Sequence, residues 1–147
     1  MKREISSVLS RKDSVYDAGD SIDISLCKIN LKSLELQFSG VNSPAYVVRG
    51  CDLTQLVADK TLFNTPTEEK PMFSHQNFQL QKGDCLYLFS DGFQDQIGGA
   101  TKKKFMMRHF SELLVKIAPE NMKIQKKILL QTFAKWKGEN EQTDSLS

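Results

Sequence analysis

No run of roughly 20 consecutive apolar residues, the length a bilayer-spanning helix needs, occurs in this chain of 147 residues. The start, "MKREISSVLSRKD", also lacks the unbroken apolar stretch of a secretory signal. One-sided charge is missing too: twenty Lys and Arg stand against eighteen Asp and Glu, a net of +2. That balance is too even to argue for a nucleic acid partner or an anionic membrane surface, and neither a nucleic acid partner nor direct membrane contact is expected. Cysteine is scarce, and Cys27, Cys51 and Cys85 show no C-x-x-C or Cys/His metal spacing, so they read as reduced thiols of core or surface. The only two histidines, His75 and His109, stand in no recognisable ligand spacing. G-x-x-x-x-G-K-[ST], G-x-G-x-x-G and G-x-S-x-G are absent, which removes the usual support for nucleotide binding and for serine hydrolysis. There are no internal repeats and no low-complexity tract. A cytoplasmic domain is expected, standing alone or as the soluble effector part of a membrane-anchored sensor.

What is present suffices for one packed domain, since 39% of the residues are apolar. Ile5, Val8 and Leu9 share one face of a short N-terminal helix over Glu4 to Leu9, and Asp13 to Asp20 reads as polar linker. "SIDISLCKIN" alternates Ile22, Ile24 and Leu26 at period two, and "LKSLELQFSG" repeats the pattern with Leu34, Leu36 and Phe38, so the two predict a hairpin. "AYVVRG" and "LTQLV" predict a shorter pair turning at Gly50, whereas "DKTLFNTPTEEK" has no period and reads as loop. "FSHQNFQL" and "CLYLFS" predict two more strands joined by "QKGD". Helical spacing follows twice: Met106, Phe110, Leu113, Leu114 and Ile117 up to Pro119, then Met122, Gln125, Leu129, Phe133 and Trp136 up to Gly138. Strands followed by helices predict an α+β fold, antiparallel sheet with helices packed outside it.

The most apolar strand, Leu86 to Phe89, reads as buried on both faces, yet Asp91 follows it on a Ser-Asp-Gly step. Asp-Gly after a strand is usually a turn. A tight hairpin needs a second alternating strand at once, and "FQDQIGG" supplies none, so the loop presents a carboxylate at the sheet rim. Such a carboxylate suits a hard divalent cation, which takes oxygen ligands. Asp95 is open to three readings: a further ligand, an acceptor behind a ligand, or a solvated loop residue. Gly98 and Gly99 are read as giving the loop freedom. Lys102 to Lys104 is either a solvated face or an attraction for a phosphorylated partner.

"DSIDISLC", "LQFSGVNSPAYVVRG", "FQLQKGDCLYLFSDGFQDQIGG", "KKKF" and "WKGENEQTDSLS" resemble, in this order, the later two-thirds of bacterial SpoIIE-type phosphatases, relatives of protein phosphatase 2C. The resemblance runs from about Asp20 to the C-terminus. It implies a four-layer αββα sandwich, helices outside two antiparallel sheets, here in part, with a two-metal centre of Mn²⁺ or Mg²⁺ between the sheets. Asp91 looks like a metal ligand with Gly92 as its conformational partner, Asp144 like the second recurrent ligand, and Ser90, Asp95 and Gln96 like supporting residues. Ser145 stands where the family carries Asp or Asn after that second ligand, and "ADKTLFNTP" replaces a Pro-Ile-Gly-like turn. The implied reaction is hydrolysis of phosphoserine or phosphothreonine by metal-held water, which needs neither a protein nucleophile nor a histidine. The implied substrate is a phosphorylated regulatory protein of the anti-sigma-factor-antagonist type, and homodimerisation stays open. Nothing in Met1 to Asp20 resembles the family's D-x-x-G-H-G, whose Asp bridges both metals. Residues 1–147 are therefore expected to form a partial domain lacking the family's first and last strands. Weak or absent metal binding and little activity by this chain alone follow, and a non-catalytic interaction domain is the alternative.

Overall fold

The computed structural model describes residues 23–60, 73–93, 95–99 and 102–140. Eight strands and two helices are formed among them: β1 (Ile24–Ile29), β2 (Glu35–Val41), β3 (Ala45–Arg49), β4 (Asp52–Leu56), β5 (Gln76–Gln79), β6 (Cys85–Leu88), β7 (Ile97–Gly98), β8 (Lys103–Lys104), α1 (Met107–Ile117) and α2 (Met122–Lys137). One antiparallel sheet has the order β1-β2-β5 and a second has β4-β3-β6, while β7 and β8 pair as a small ribbon. Both expected hairpins form, β1 with β2 and β3 with β4. The "QKGD" turn joins β5 and β6 without pairing them, because β5 pairs β2 and β6 pairs β3, so this turn carries the chain from one sheet to the other. The expected helix over Glu4 to Leu9 lies outside the described residues.

Two apolar layers hold the architecture together. Leu36, Phe38, Ala45, Val47 and Leu56 form the filling between the sheets, with Cys27, Phe78, Leu80 and Leu86 packed around them. Tyr46, Phe93, Phe105, Phe110, Leu114, Ile117 and Phe133 form the second layer, between the β4-β3-β6 sheet and the helices. Each fully buried side chain of this size contributes about 1.5–3 kcal/mol. Among the described residues the layers are sheet, sheet, helices, an α+β sandwich of antiparallel sheets as expected.

Burial departs from expectation at two strands. The strand covered on both faces is β3, whose Ala45, Tyr46, Val47 and Val48 are 0–3% exposed, and not β6, whose Leu88 is 48% exposed. Among the described residues β3 has a strand on each side, with a sheet below and helices above, whereas β6 is an edge. In β1, Ile29 and Cys27 stand opposite Leu36 and Phe38, so they face the sandwich filling. The alternating Ile24 and Leu26 therefore lie on the outer face, and Leu26 is 47% exposed.

The sandwich has two unlike ends. At one end sit the short turns β1–β2 and β3–β4 and the β5–β6 crossover, clasped by Arg49, whose Nε and Nη2 donate to Asp84 Oδ1 and Oδ2 at 2.9 and 2.7 Å. Gln81 N also donates to Asp84 Oδ2, at 2.8 Å, and the Asp84 side chain is only 3% exposed. The Arg49 guanidinium holds the Asp84 carboxyl below the usual carboxylate range. At the other end, the register of β3 with β4 and β6 gathers Ala45, Leu56 and Leu88, and with them the start of β1 and the end of β2. Asp91 emerges there, two residues beyond Phe89.

Candidate active site

Asp91 is held in place by what flanks it. Phe89, two residues before, packs against Tyr46 and Phe110 with ring centroids 4.8 and 5.0 Å apart. Phe93, two residues after, packs against Phe105, Phe110 and Phe133 at 5.1, 5.1 and 5.2 Å. Both anchors belong to the layer under the helices, so the turn between them cannot drift without opening that layer. Asp95 N closes the turn by donating to Asp91 O at 2.9 Å. Asp91 and Ser90 are half-buried and Gly92 is buried. Ser90 also lines a largely apolar cleft of about 510 Å³ beside Leu88, Met122 and Leu130.

A polar relay ties both sheets together at this point. Ser25 Oγ, on β1, donates to Ser43 O at 2.7 Å and lies 2.9 Å from Ser43 Oγ. Ser43 Oγ donates onward to Phe89 O at 3.1 Å. Ser43 is 7% exposed, and its hydroxyl satisfies a carbonyl at the end of β6. Sequence reasoning missed Ser25 and Ser43, since a serine in a strand or turn carries no pattern that distinguishes it. Nearby, Ser74 N and Oγ donate to the Asp59 carboxylate at 2.6 and 2.7 Å, and Asp59 N donates to Gly40 O at 2.9 Å. A Cβ at Gly40 would meet Phe38 Cζ and Ser43 O at 2.7 Å each, so only glycine lets the end of β2 lie against the Ser43 carbonyl.

The loop after Asp91 forms a pinned ribbon. Gln96, expected in a supporting role, is 0% exposed and serves as its hub. Gln96 O accepts from Trp136 Nε1 at 2.8 Å and from Phe105 N at 3.1 Å, while Gln96 Nε2 donates to Ile97 O at 2.8 Å. The expectation that Gly98 and Gly99 give the loop freedom is corrected. A Cβ at Gly98 would stand 1.9 Å from Trp136 O, and Gly99 N donates to that same carbonyl at 3.0 Å. Gly98 serves close approach to the end of α2, while Gly99 takes the left-handed turn at a φ of 68°.

The three readings of Asp95 narrow accordingly: Lys104 Nζ lies 3.0 Å from Asp95 Oδ1, so this carboxylate is paired with a lysine. Lys102, Lys103 and Lys104 are exposed. His109 Nδ1 lies 2.8 Å from Phe105 O and packs on the Phe105 ring, a structural use. Cys27, Cys51 and Cys85 are free thiols; burial pushes the Cys27 thiol up. Gln125, 2% exposed, joins α2 to β6: Tyr87 Oη donates to its Oε1 at 2.8 Å, and its Nε2 donates to Glu120 O at 2.8 Å. Burial, and then the neighbouring Cys85, push the Tyr87 phenol far above its ordinary range.

Asp144 lies outside the described residues. Among the described residues no three His, Cys, Asp or Glu side chains cluster closely enough to hold a metal ion. By themselves these residues do not make a two-metal cage. Also among them, no helix is long and apolar enough to cross a membrane.

Two antiparallel sheets face to face, with helices over one of them among the described residues and an aspartate at the sheet rim, resemble solved PP2C-type phosphatase domains. The SiaA-PP2C domain of Pseudomonas aeruginosa matches this chain with a TM-score of 0.75 at 25% identity, covering 84% of this chain and 48% of that one. The phosphatase domain of the cell fate determinant SpoIIE from Bacillus subtilis matches with 0.59 at 16% identity, over 99% of this chain and 61% of that one. A structure of its PP2C phosphatase domain with a fragment of the regulatory domain matches with 0.67 at 20% identity, over 99% and 41%. The two Bacillus likenesses bear on the fold alone. The chain spans about half the length of the Pseudomonas domain. No curated protein sequence matches it. The model of the family "Stage II sporulation protein E (SpoIIE)" matches residues 3–147, and the chain belongs to that family. The match begins well before Asp20, where the resemblance was expected to start.

Proposed function

We propose that this chain is part of a metal-dependent protein serine/threonine phosphatase module in which Asp91 is a ligand of Mn²⁺ or Mg²⁺, acting on a phosphorylated regulatory protein. The observation that carries the reading is the fixed presentation of Asp91 at the end where both sheets are tied, between the aromatic anchors Phe89 and Phe93. When bound, the metal would supply an activated water and charge neutralisation for the phosphate. The chain's own residues hold the carboxylate at the rim: Ser43 fixes the end of β6, and Asp95 closes the turn. Asp144 is assigned as the second ligand. That assignment rests on the "TDSLS" motif, and Asp144 itself lies outside the described residues. The domain over 1–147 is partial in this reading, because the sequence holds no D-x-x-G-H-G aspartate to bridge two metals. Weak metal binding and little hydrolysis by the 147 residues alone follow.

The test is Mn²⁺-dependent hydrolysis of phosphoserine peptides by the longest reading frame that contains this chain, with Mn²⁺ affinity measured beside it. Asp91→Asn is expected to lower kcat/KM by at least about a hundredfold and to weaken Mn²⁺ binding. Full activity in that variant refutes the assignment of Asp91. The exposed run Lys102 to Lys104 favours a second reading, a non-catalytic domain that binds a regulatory partner. Partner binding that survives Asp91→Asn, without hydrolysis by the long frame, distinguishes it.

A further inference from the structure

The near-balanced net charge hides a segregated one. Between Lys102 and Lys137 ten basic residues stand against two acidic ones, Glu112 and Glu120, so the rest of the chain is net acidic. Five of the ten, Lys102, Lys103, Lys104, Lys135 and Lys137, lie where the ribbon meets the end of α2, with Glu139 just beyond it. Lys102 and Lys103 are exposed on the ribbon, and Lys135 and Lys137 flank Trp136, whose carbonyl accepts from Gly99 N and whose indole donates to Gln96 O. Among the described residues no carboxylate pairs with any of these four lysines; Lys104 alone on the ribbon is paired, to Asp95. Asp95 N in turn donates to Asp91 O, so one hydrogen bond and one ion pair separate the lysine ribbon from the candidate metal ligand. Holding several unpaired cations together on a pinned support costs mutual repulsion, which an anionic partner would relieve. Among the described residues no aromatic side chain is among the exposed large apolar ones, so the face they form presents no stacking platform for nucleic acid bases and no aromatic anchor for a bilayer.

We infer that the ribbon and the end of α2 form a docking site for the acidic surface of the protein substrate, positioning its phosphorylated residue over Asp91. The inference rests on the phosphatase reading and deepens it. Lysines act here as point charges that select and steer rather than as forks that fix one geometry. Recognition is therefore tuned to the density of carboxylates around the phosphorylated residue and is weakened by salt.

The experiment compares two phosphoserine peptides of equal length, one flanked by Asp and Glu and one by neutral polar residues, with the longest reading frame that contains this chain. The acidic peptide is expected to have the higher kcat/KM, through a lower KM, and the preference shrinks at high ionic strength. Lys102→Glu with Lys103→Glu lowers the ratio of the two specificity constants by about tenfold or more. Lys103→Glu alone lowers it in part and leaves untouched Lys102, which sits at a positive φ of 49°. Lys82→Glu, at the opposite end of the sandwich, leaves the ratio in place. A ratio unmoved in both ribbon variants, or insensitive to salt, overturns the inference. Binding of the two labelled peptides, read by fluorescence anisotropy, separates this outcome from failure of the phosphatase reading. Preference for the acidic peptide without hydrolysis upholds the ribbon and refutes the enzyme; equal binding refutes the ribbon.

Discussion

Gly98→Ala is the sharpest probe of how the candidate site is held. The added methyl group would stand 1.9 Å from Trp136 O and 2.6 Å from its carbonyl carbon, both backbone atoms in the last turn of α2. Ordinary contact requires the two segments to part by about 1.5 Å, since no side-chain rotation can relieve a clash between a Cβ and main chain. Parting strains or breaks the bonds from Gly99 N to Trp136 O and from Trp136 Nε1 to Gln96 O, at 3.0 and 2.8 Å. Overpacking of about 1–3 kcal/mol and loss of about 0.5–1.5 kcal/mol per hydrogen bond are partly alternatives, and the lower entropy of the unfolded alanine chain returns some of the cost. The expected net destabilisation is about 2–3 kcal/mol, or a Tm lower by about 5–10 °C. Urea and thermal unfolding measure it. Trp136 is the only tryptophan, so its emission reports the site directly and is expected to shift to the red as the indole loses Gln96 O. A Gly98→Ala protein within about 0.5 kcal/mol of the parent, with unchanged emission, would refute the close approach and with it the pinned ribbon.

Two further outcomes follow from buried polar groups. The Asp84 carboxyl is held low by Arg49, so the stability it confers is fully present above the unfolded carboxylate range, near pH 4, and is lost as pH falls through the lower folded value. Asp84→Asn should flatten this acid limb of a Tm-versus-pH curve while lowering the plateau at neutral pH; an unchanged acid limb would show that the Arg49 clasp is not formed. Gln125→Leu leaves the Tyr87 hydroxyl and the Glu120 carbonyl without their partner, at a cost of about 2–4 kcal/mol in denaturant unfolding. Tyr87→Phe in the same background should restore part of that loss, and a further loss instead would refute the Gln125 network.

The elements that local pattern determines were legible residue by residue. The hairpins of β1 with β2 and β3 with β4 follow from period-two alternation and short turns, and the helices α1 and α2 from apolar spacing bounded by Pro119 and Gly138. Asp91 could be singled out because the residues after it do not alternate. Its anchoring was less legible: Phe89 and Phe93 were visible as apolar, but which layer they enter depends on α1 and α2 returning over the β4-β3-β6 sheet.

The amino-acid sequence by itself determined the local elements and the motifs that resemble the SpoIIE family, because each depends on neighbours within a few residues, and the balance of charge, which is a sum over residue types. Only the tertiary structure decided that β3 rather than β6 is covered on both faces, that β1 turns Ile24 and Leu26 outward, and that Gly98 is there for contact rather than for freedom. It also decided that Asp95 pairs with Lys104 and that Ser25 and Ser43 tie the sheets beneath Asp91. The physical reason is common to all of these. Periodicity fixes which residues share a face, but what covers that face is set by segments tens of residues away, through strand order and packing that no local pattern encodes.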